Sequence, residues 1–255
     1  MNWDKKKIHC VGIKGAGLSG LAILLKNEGA IISGSDTDEE FPSEKELHKY
    51  AIEIKLFDAK NAEGKDLIIY SSAWPEDNAE RKRAKELGID QMSYAEALAE
   101  YAKGKETIVI IGTHGKTTTT AILGHIFEAA GLDPAVLTGD EVKAWNSSIR
   151  LGRGKYFIVE GDEYQEKFKL FRPVGIIIPS LDYDHTDYFK DQETYTGAFR
   201  EWVSNNPQAK FVTTMEVKKA LNVESNLFDE KTLKYSRALN MFFLESITGQ
   251  TPCWR

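Results

Sequence analysis

Twice in this chain a short apolar run ends in a glycine-rich loop that opens directly into a segment of helical period. The first is Val11-Gly12-Ile13-Lys14-Gly15-Ala16-Gly17-Leu18-Ser19-Gly20 and the second is Gly112-Thr113-His114-Gly115-Lys116-Thr117. A strand, a tight loop and a helix in that order begin a βαβ crossover, and such units assemble into a parallel sheet covered by helices. The rhythm runs through most of the chain. Apolar runs at 8–13, 31–33, 52–57, 67–70, 107–111, 156–159, 174–178 and 211–213 read as strands. Segments 18–27, 43–50, 78–87, 94–101, 117–130 and 192–204 read as helices.

The polar break Lys103-Gly104-Lys105-Glu106 separates the two loop units, and a domain boundary is placed there. The expected fold is therefore α/β: a Rossmann-like parallel-sheet domain over residues 1–103, then a P-loop α/β domain over residues 104–255. From Lys218 the pattern weakens and no clear strand follows 211–213, so the second domain is expected to be incomplete. With 255 residues, 42% of them hydrophobic, the chain has apolar material for two cores. A net charge of -6 gives no general attraction to nucleic acid or to anionic membranes. No stretch nears the roughly 18 apolar residues that span a bilayer, and the basic start lacks a signal-peptide core. Cys10 and Cys253 make neither a disulfide framework nor a metal cluster. A cytoplasmic protein is expected, with no nucleic-acid partner and no membrane insertion.

In the first loop Gly15, Gly17 and Gly20 satisfy G-x-G-x-x-G, where glycine permits close backbone approach and the helix N-terminus offers free N–H groups to phosphate. Asp36, in Ser33-Gly34-Ser35-Asp36, stands where a nicotinamide-dinucleotide enzyme places its ribose-binding acid. Taken alone, the loop fits NAD, another diphosphate, or a turn needed only for strand–helix packing. The second loop is more specific, because it ends in Gly-Lys-Thr. Its backbone N–H groups can cradle phosphates, Lys116 can reach the outer phosphoryl oxygens, and the Thr117 hydroxyl can ligate magnesium. Its departure from the strict P-loop pattern is that Ile110 or Ile111 holds the place of the first glycine.

Two acidic clusters follow, Glu160-Gly161-Asp162-Glu163-Tyr164 and Asp182-Tyr183-Asp184-His185-Thr186-Asp187, each just past an apolar run. Strand ends in a parallel sheet open on the same edge as the phosphate loop, so Glu160 and His185 are candidates to hold a divalent cation. His9 and His125 lie in apolar patterns and are expected to be packed. His48 is expected at the surface, and His114 either contacts a ligand or shapes the loop. The charged run 76–86 reads as a solvated helix face.

Together these residues resemble the Mur ligases, ATP-dependent amino-acid ligases of peptidoglycan synthesis and recycling. The family's Gly-Thr-His/Asn-Gly-Lys-Thr loop corresponds to Gly112–Thr117, its glutamate after the next strand to Glu160, and its Asp-His-x-Asp to Asp184, His185 and Asp187. The Ser-Gly-Ser-Asp segment and Ser71-Ser72-Ala73 resemble the branch acting on UDP-N-acetylmuramate, and Tyr164 resembles its tripeptide-recycling members. Lys14 replaces a usual glycine, and Ser180 stands where the family often has asparagine. The resemblance replaces NAD by a UDP-sugar on the first loop, contacted by Gly15, Ala16, Gly17, Leu18, Ser19, Asp36, Ser71 and Ser72. It implies ATP on Gly112, Thr113, His114, Gly115, Lys116, Thr117 and Thr118. Magnesium, or manganese in its place, would sit on Thr117, Glu160 and His185, with Lys116, Glu160 and His185 catalytic. The implied reaction joins UDP-N-acetylmuramate to an amino acid or tripeptide amine through an acyl phosphate. The family's third, C-terminal domain is expected to be missing, which leaves a non-catalytic UDP-sugar- and ATP-binding fragment as the alternative; an NAD-dependent oxidoreductase is a further one.

Overall fold

The structure, a computed structural model, describes residues 1–224 and the backbone of 226–228. Its contacts divide the chain into two units. One comprises Met1–Gly104 together with Gly139–Leu151, and the other Lys105–Thr138 together with the described residues from Gly152 onward. A single cut near residue 104 does not anticipate the excursion at 139–151.

The first unit is built from β1 (Lys7–Val11), α1 (Ala16–Asn27), β2 (Ile31–Asp36), α2 (Glu44–Lys49), β3 (Glu53–Leu56), β4 (Leu67–Tyr70), α3 (Ala79–Glu86), β5 (Asp90–Ser93) and α4 (Tyr94–Ala102). Its five strands pair in the order β3-β2-β1-β4-β5, all parallel. Ile8, Cys10 and Val11 of β1 and Leu67, Ile68 and Ile69 of β4 are all buried, as strands covered on both faces must be. Four residues of β5, Asp90-Gln91-Met92-Ser93, carry no apolar run; an edge strand pairs through its backbone and needs none.

A polar network crosses this core. His9 Nδ1 lies 2.9 Å from Ser33 Oγ, and its Nε2 lies 3.2 Å from Ser35 Oγ and 3.4 Å from the Glu80 carboxylate. Glu80 also accepts from Ser35 Oγ (2.5 Å), Asn61 Nδ2 (2.7 Å) and the Asp58 N–H (3.1 Å). Burial would raise the Glu80 carboxyl, but the hydrogen bonds from His9, Ser35 and Asn61 outweigh it and hold the group below its ordinary range. The expectation of a solvated face is thus corrected for α3: Glu80 is 0% exposed, and Arg81 is buried with its guanidinium over the Tyr70 ring, 3.5 Å from the centroid.

The second unit comprises β6 (Glu106–Ile110), α5 (Lys116–Ala129), β7 (Ala135–Val142), β8 (Ser147–Arg150), β9 (Tyr156–Glu160), β10 (Gly175–Ile178), α6 (Gln192–Ser204), β11 (Lys210–Thr214), α7 (Met215–Leu221) and β12 (Asn226–Phe228). The strand order is β12-β11-β10-β6-β9-β7-β8. β12 pairs parallel with β11, so a strand does follow 211–213; its register sets Val212 against Asn226 and Thr213 against Leu227. The weakly patterned stretch from 229 on lies outside the described residues. Phe168, Phe199, Trp202, Tyr195 and Phe189 form a buried aromatic run, with Phe168 stacked on Phe199 at 4.9 Å and edge-on to Trp202 at 5.0 Å. His125 departs from the expected packing: it is 43% exposed, with Nδ1 3.6 Å from Glu128 one helical turn on. Among the described residues no helix is long and apolar enough to cross a membrane.

Candidate functional site

In the second unit the phosphate loop leaves the sheet between two neighbours. β6 pairs with β9 on one side and β10 on the other, and the registers set Ile110 against Glu160 and against Ile177. The ends of three adjacent parallel strands therefore deliver Gly112–Lys116, Glu160–Glu163 and Ser180–His185 to one edge, where ligands of open α/β sheets bind.

The loop geometry depends on glycine at Gly112. Its φ is +129°, and a Cβ there would sit 2.2 Å from the Ser180 carbonyl oxygen. That close approach lets Ser180 stitch the loop: the Thr113 N–H donates to Ser180 O (3.3 Å) and the His114 N–H to Ser180 Oγ (2.7 Å), while Ser180 Oγ donates back to His114 O (3.1 Å). Thr113 Oγ1 donates to Asp182 O (2.6 Å) and lies 3.2 Å from the Tyr195 hydroxyl, which burial pushes up to about 12. His114 points outward, 76% exposed, with its ring 3.9 Å from Asp182. Gly115 and Thr118 are exposed and Lys116 and Thr117 half-buried at the start of α5.

Polar and charged side chains meet around the two acids Glu160 and Glu163. Thr117 Oγ1 donates to Glu160 Oε2 at 2.9 Å. Lys116 Nζ is held by Gly112 O (2.7 Å), Thr113 O (3.4 Å) and Glu163 Oε1 (2.8 Å). His185 is brought to Glu163, with Nε2 3.4 Å from Oε1. Its backbone is left-handed at φ 53°, a strained conformation of the kind that collects at functional sites. The Tyr188 and Phe189 N–H groups donate to its carbonyl, both at 2.9 Å, and buried Phe189 anchors the turn. Tyr164 lies 5.4 Å from the His185 ring, and its hydroxyl donates to Asp187 (3.1 Å), which raises the phenol above its ordinary range.

Glu163 is the residue that sequence reasoning passed over. It is 4% exposed, and its Oε2 is buried without a partner. In the string it is one acid among several, yet Asp162 beside it is exposed and paired with Lys167 (2.9 Å). After Glu163 the chain turns through Gln165 and Glu166, both left-handed, to bury Phe168, and this fixes which acid faces inward.

The Thr117 hydroxyl and the Glu160 carboxylate are oxygen donors of the kind a hard cation takes. Among the described residues no group of three or more His, Cys, Asp or Glu could hold a metal by itself.

In the first unit the glycine loop and Ser71–Ser72 meet at the same sheet edge. The Ser71 N–H donates to Val11 O (2.9 Å), and a Cβ on Gly12, whose φ is +81°, would lie 2.3 Å from the Trp74 ring. Gly15 and Ala16 are exposed at the mouth of α1 and Ser72 beyond β4, whereas Gly17 is half-buried and Leu18 and Ser19 are buried. The Ser19 hydroxyl donates to Ala16 O (2.9 Å). Asp36 shapes the loop from within: 4% exposed, it accepts the Lys14 N–H (2.7 Å) and the Thr37 N–H (2.9 Å). Lys14, at the position of a usual glycine, is buried and turned back onto Thr37 O (2.9 Å), Glu39 O (2.7 Å) and Glu44 (3.0 Å).

A Gly-Lys-Thr loop at the centre of the sheet, flanked by acids and a histidine from both neighbouring strand ends, defines an α/β protein of P-loop type. The chain belongs to the Mur ligase family: the model of the "Mur ligase family, catalytic domain" matches residues 7–106, and that of the "Mur ligase middle domain" matches 110–248. It is 39% identical over 201 residues to the UDP-N-acetylmuramate--L-alanine ligase of Desulfitobacterium hafniense, a match covering 78% of this chain and 45% of that protein. With the ligase of the same name from Caldicellulosiruptor saccharolyticus it is 35% identical over 247 residues, 95% of this chain and 54% of that one. The chain spans about half the length of the curated relatives it matches.

Solved structures share the fold. The UDP-N-acetylmuramate:L-alanyl-gamma-D-glutamyl-meso-diaminopimelate ligase from Neisseria meningitides superposes with a TM-score of 0.77 at 27% identity, over 87% of this chain and 76% of that one. The UDP-N-acetylmuramate-alanine ligase from Thermotoga maritima gives 0.76 at 29% identity, over 88% and 53%.

Proposed function

We propose that this chain carries the UDP-sugar-binding and ATP-binding parts of a ligase that joins the carboxylate of UDP-N-acetylmuramate to an amino acid or peptide amine. Residues 1–103 hold the UDP-sugar and residues 104–255 the ATP. The observation that carries the reading is the pairing of Lys116 with Glu163 and of Thr117 with Glu160 at the mouth of one phosphate loop. The names of the similar ligases supply the substrate.

Two anions must meet when a carboxylate attacks the γ-phosphorus of ATP, so the barrier is electrostatic and positional. The loop N–H groups and Lys116 receive the phosphates. Thr117, Glu160 and His185 would hold magnesium. Magnesium, when bound, offsets charge on the phosphoryl oxygens. Attack gives an acyl phosphate and ADP; the amine then displaces phosphate to form the amide, and no residue of the chain forms a covalent bond. In the first unit Gly15, Ala16, Gly17, Ser71 and Ser72 line the diphosphate position. Leu18, Ser19 and Asp36 act there through the loop backbone.

The test is mass spectrometry of the chain incubated with UDP-N-acetylmuramate, magnesium-ATP, L-alanine and the muropeptide tripeptide. A new UDP-linked mass supports ligation, and its increment names the amine. Binding of both nucleotides without product reduces the reading to the binding steps, and failure to bind either refutes it.

A further inference from the structure

Lys116 Nζ already has three oxygen partners, the carbonyls of Gly112 and Thr113 and the carboxylate of Glu163. To meet a phosphoryl oxygen it must exchange at least one. The carbonyls belong to the loop and travel with it. Glu163 belongs to the segment after β9, and it is the partner that Lys116 can leave behind.

Leaving it has a consequence set by burial. The carboxylate is 4% exposed, and its second oxygen has no partner even while Lys116 is in place. Once Lys116 turns to the phosphates, a buried anion stands beside a polyphosphate, with the His185 ring at 3.4 Å. Burying unpaired like charges together is strongly unfavourable, and a divalent cation between carboxylate and phosphate removes the penalty.

We propose that Glu163 is a positioning residue that pairs with Lys116 at the phosphate loop, competes with the phosphates for it, and makes nucleotide binding depend on a divalent cation. The proposal rests on the ATP reading of this loop. It separates two acids of one motif: Glu160 works from the Thr117 side, and Glu163 guards the lysine.

The test is calorimetric titration of ATP into the full 255-residue chain and its Glu163→Gln variant, once with EDTA and once with excess magnesium. In EDTA the variant is expected to bind ATP about tenfold more tightly than the wild type, whereas with magnesium the two should agree within about threefold. The ratio of metal-free to magnesium Kd should therefore shrink about tenfold. Glu163→Ala is expected to behave alike, which covers a Gln variant that fails to fold. Glu163→Asp keeps the charge and should retain the wild-type ratio. A purely structural role would weaken binding in both conditions and leave the ratio unmoved; that result overturns the proposal. Absence of magnesium-ATP binding by the wild type would overturn the ATP reading and this proposal with it.

Discussion

Replacing Glu80 by alanine tests whether the charge in α3 is a buried keystone or a surface group. Four donors face its carboxylate: Ser35 Oγ at 2.5 Å, Asn61 Nδ2 at 2.7 Å, the Asp58 N–H at 3.1 Å and His9 Nε2 at 3.4 Å. At a net value of about 1 kcal/mol each, their loss removes roughly 4 kcal/mol. His9 and Ser35 can partly satisfy each other, since Nε2 and Oγ already lie 3.2 Å apart, and this returns roughly 1 kcal/mol. The expected cost is therefore about 3 kcal/mol. With an m-value of about 2 kcal/mol/M, the urea midpoint of the first unit should fall by about 1.5 M. Tryptophan fluorescence reads it, because Trp74 packs against Phe57 in this unit at 4.5 Å. Glu80→Gln should cost less at neutral pH and should also show a pH signature. The folded carboxyl lies below its ordinary range, so its stabilisation is complete above the unfolded pKa of about 4.3 and drains away as pH falls through the folded value. Wild type and Gln variant should therefore converge in acid. A loss under about 0.5 kcal/mol in the Ala variant, the size expected of a surface substitution, would refute the reasoning, as would a gap that stays constant with pH.

Three further outcomes are expected. Lys116→Ala should weaken ATP binding by about 100-fold while leaving UDP-N-acetylmuramate binding within about twofold, measured by parallel titrations; equal loss of both would contradict the division of labour between the units. Gly112→Ala forces a Cβ to 2.2 Å from Ser180 O at φ +129° and should cost about 2–4 kcal/mol with loss of nucleotide binding, whereas Gly64→Ala, with open space at φ +68°, should cost about 1 kcal/mol in thermal melting. The Cys10 thiol, pushed up to about 12 by burial, should resist iodoacetamide at pH 8 in the folded chain and react on unfolding, as peptide mapping would show.

What the string reveals depends on whether a residue's role is local. Ile8–Val11, Leu67–Tyr70 and Tyr156–Val159 are legible as strands because parallel strands covered on both faces are nearly continuous apolar runs. Asp90–Ser93 and Asn226–Phe228 are not, since among the described residues each is joined to a single neighbouring strand through main-chain bonds that leave no mark on composition. The same distinction governs the site. Gly-Lys-Thr announces itself, because the loop, its lysine and its helix start are contiguous. Asp36 has a role the string does not announce: its carboxylate closes on the N–H groups of Lys14 and Thr37. Glu163 announces nothing, because its partner is 47 residues away and its burial is decided by Phe168 behind it. Acids are easily counted in a sequence, but whether one is solvated, caps a loop or is paired with a lysine is settled by contacts between strand ends. A motif can therefore locate this site without ranking the acids within it. The wild-type ratio of metal-free to magnesium affinity, compared across Glu160 and Glu163 variants, makes that ranking measurable: loss of Glu160 should weaken the magnesium state, and loss of Glu163 should strengthen the metal-free one.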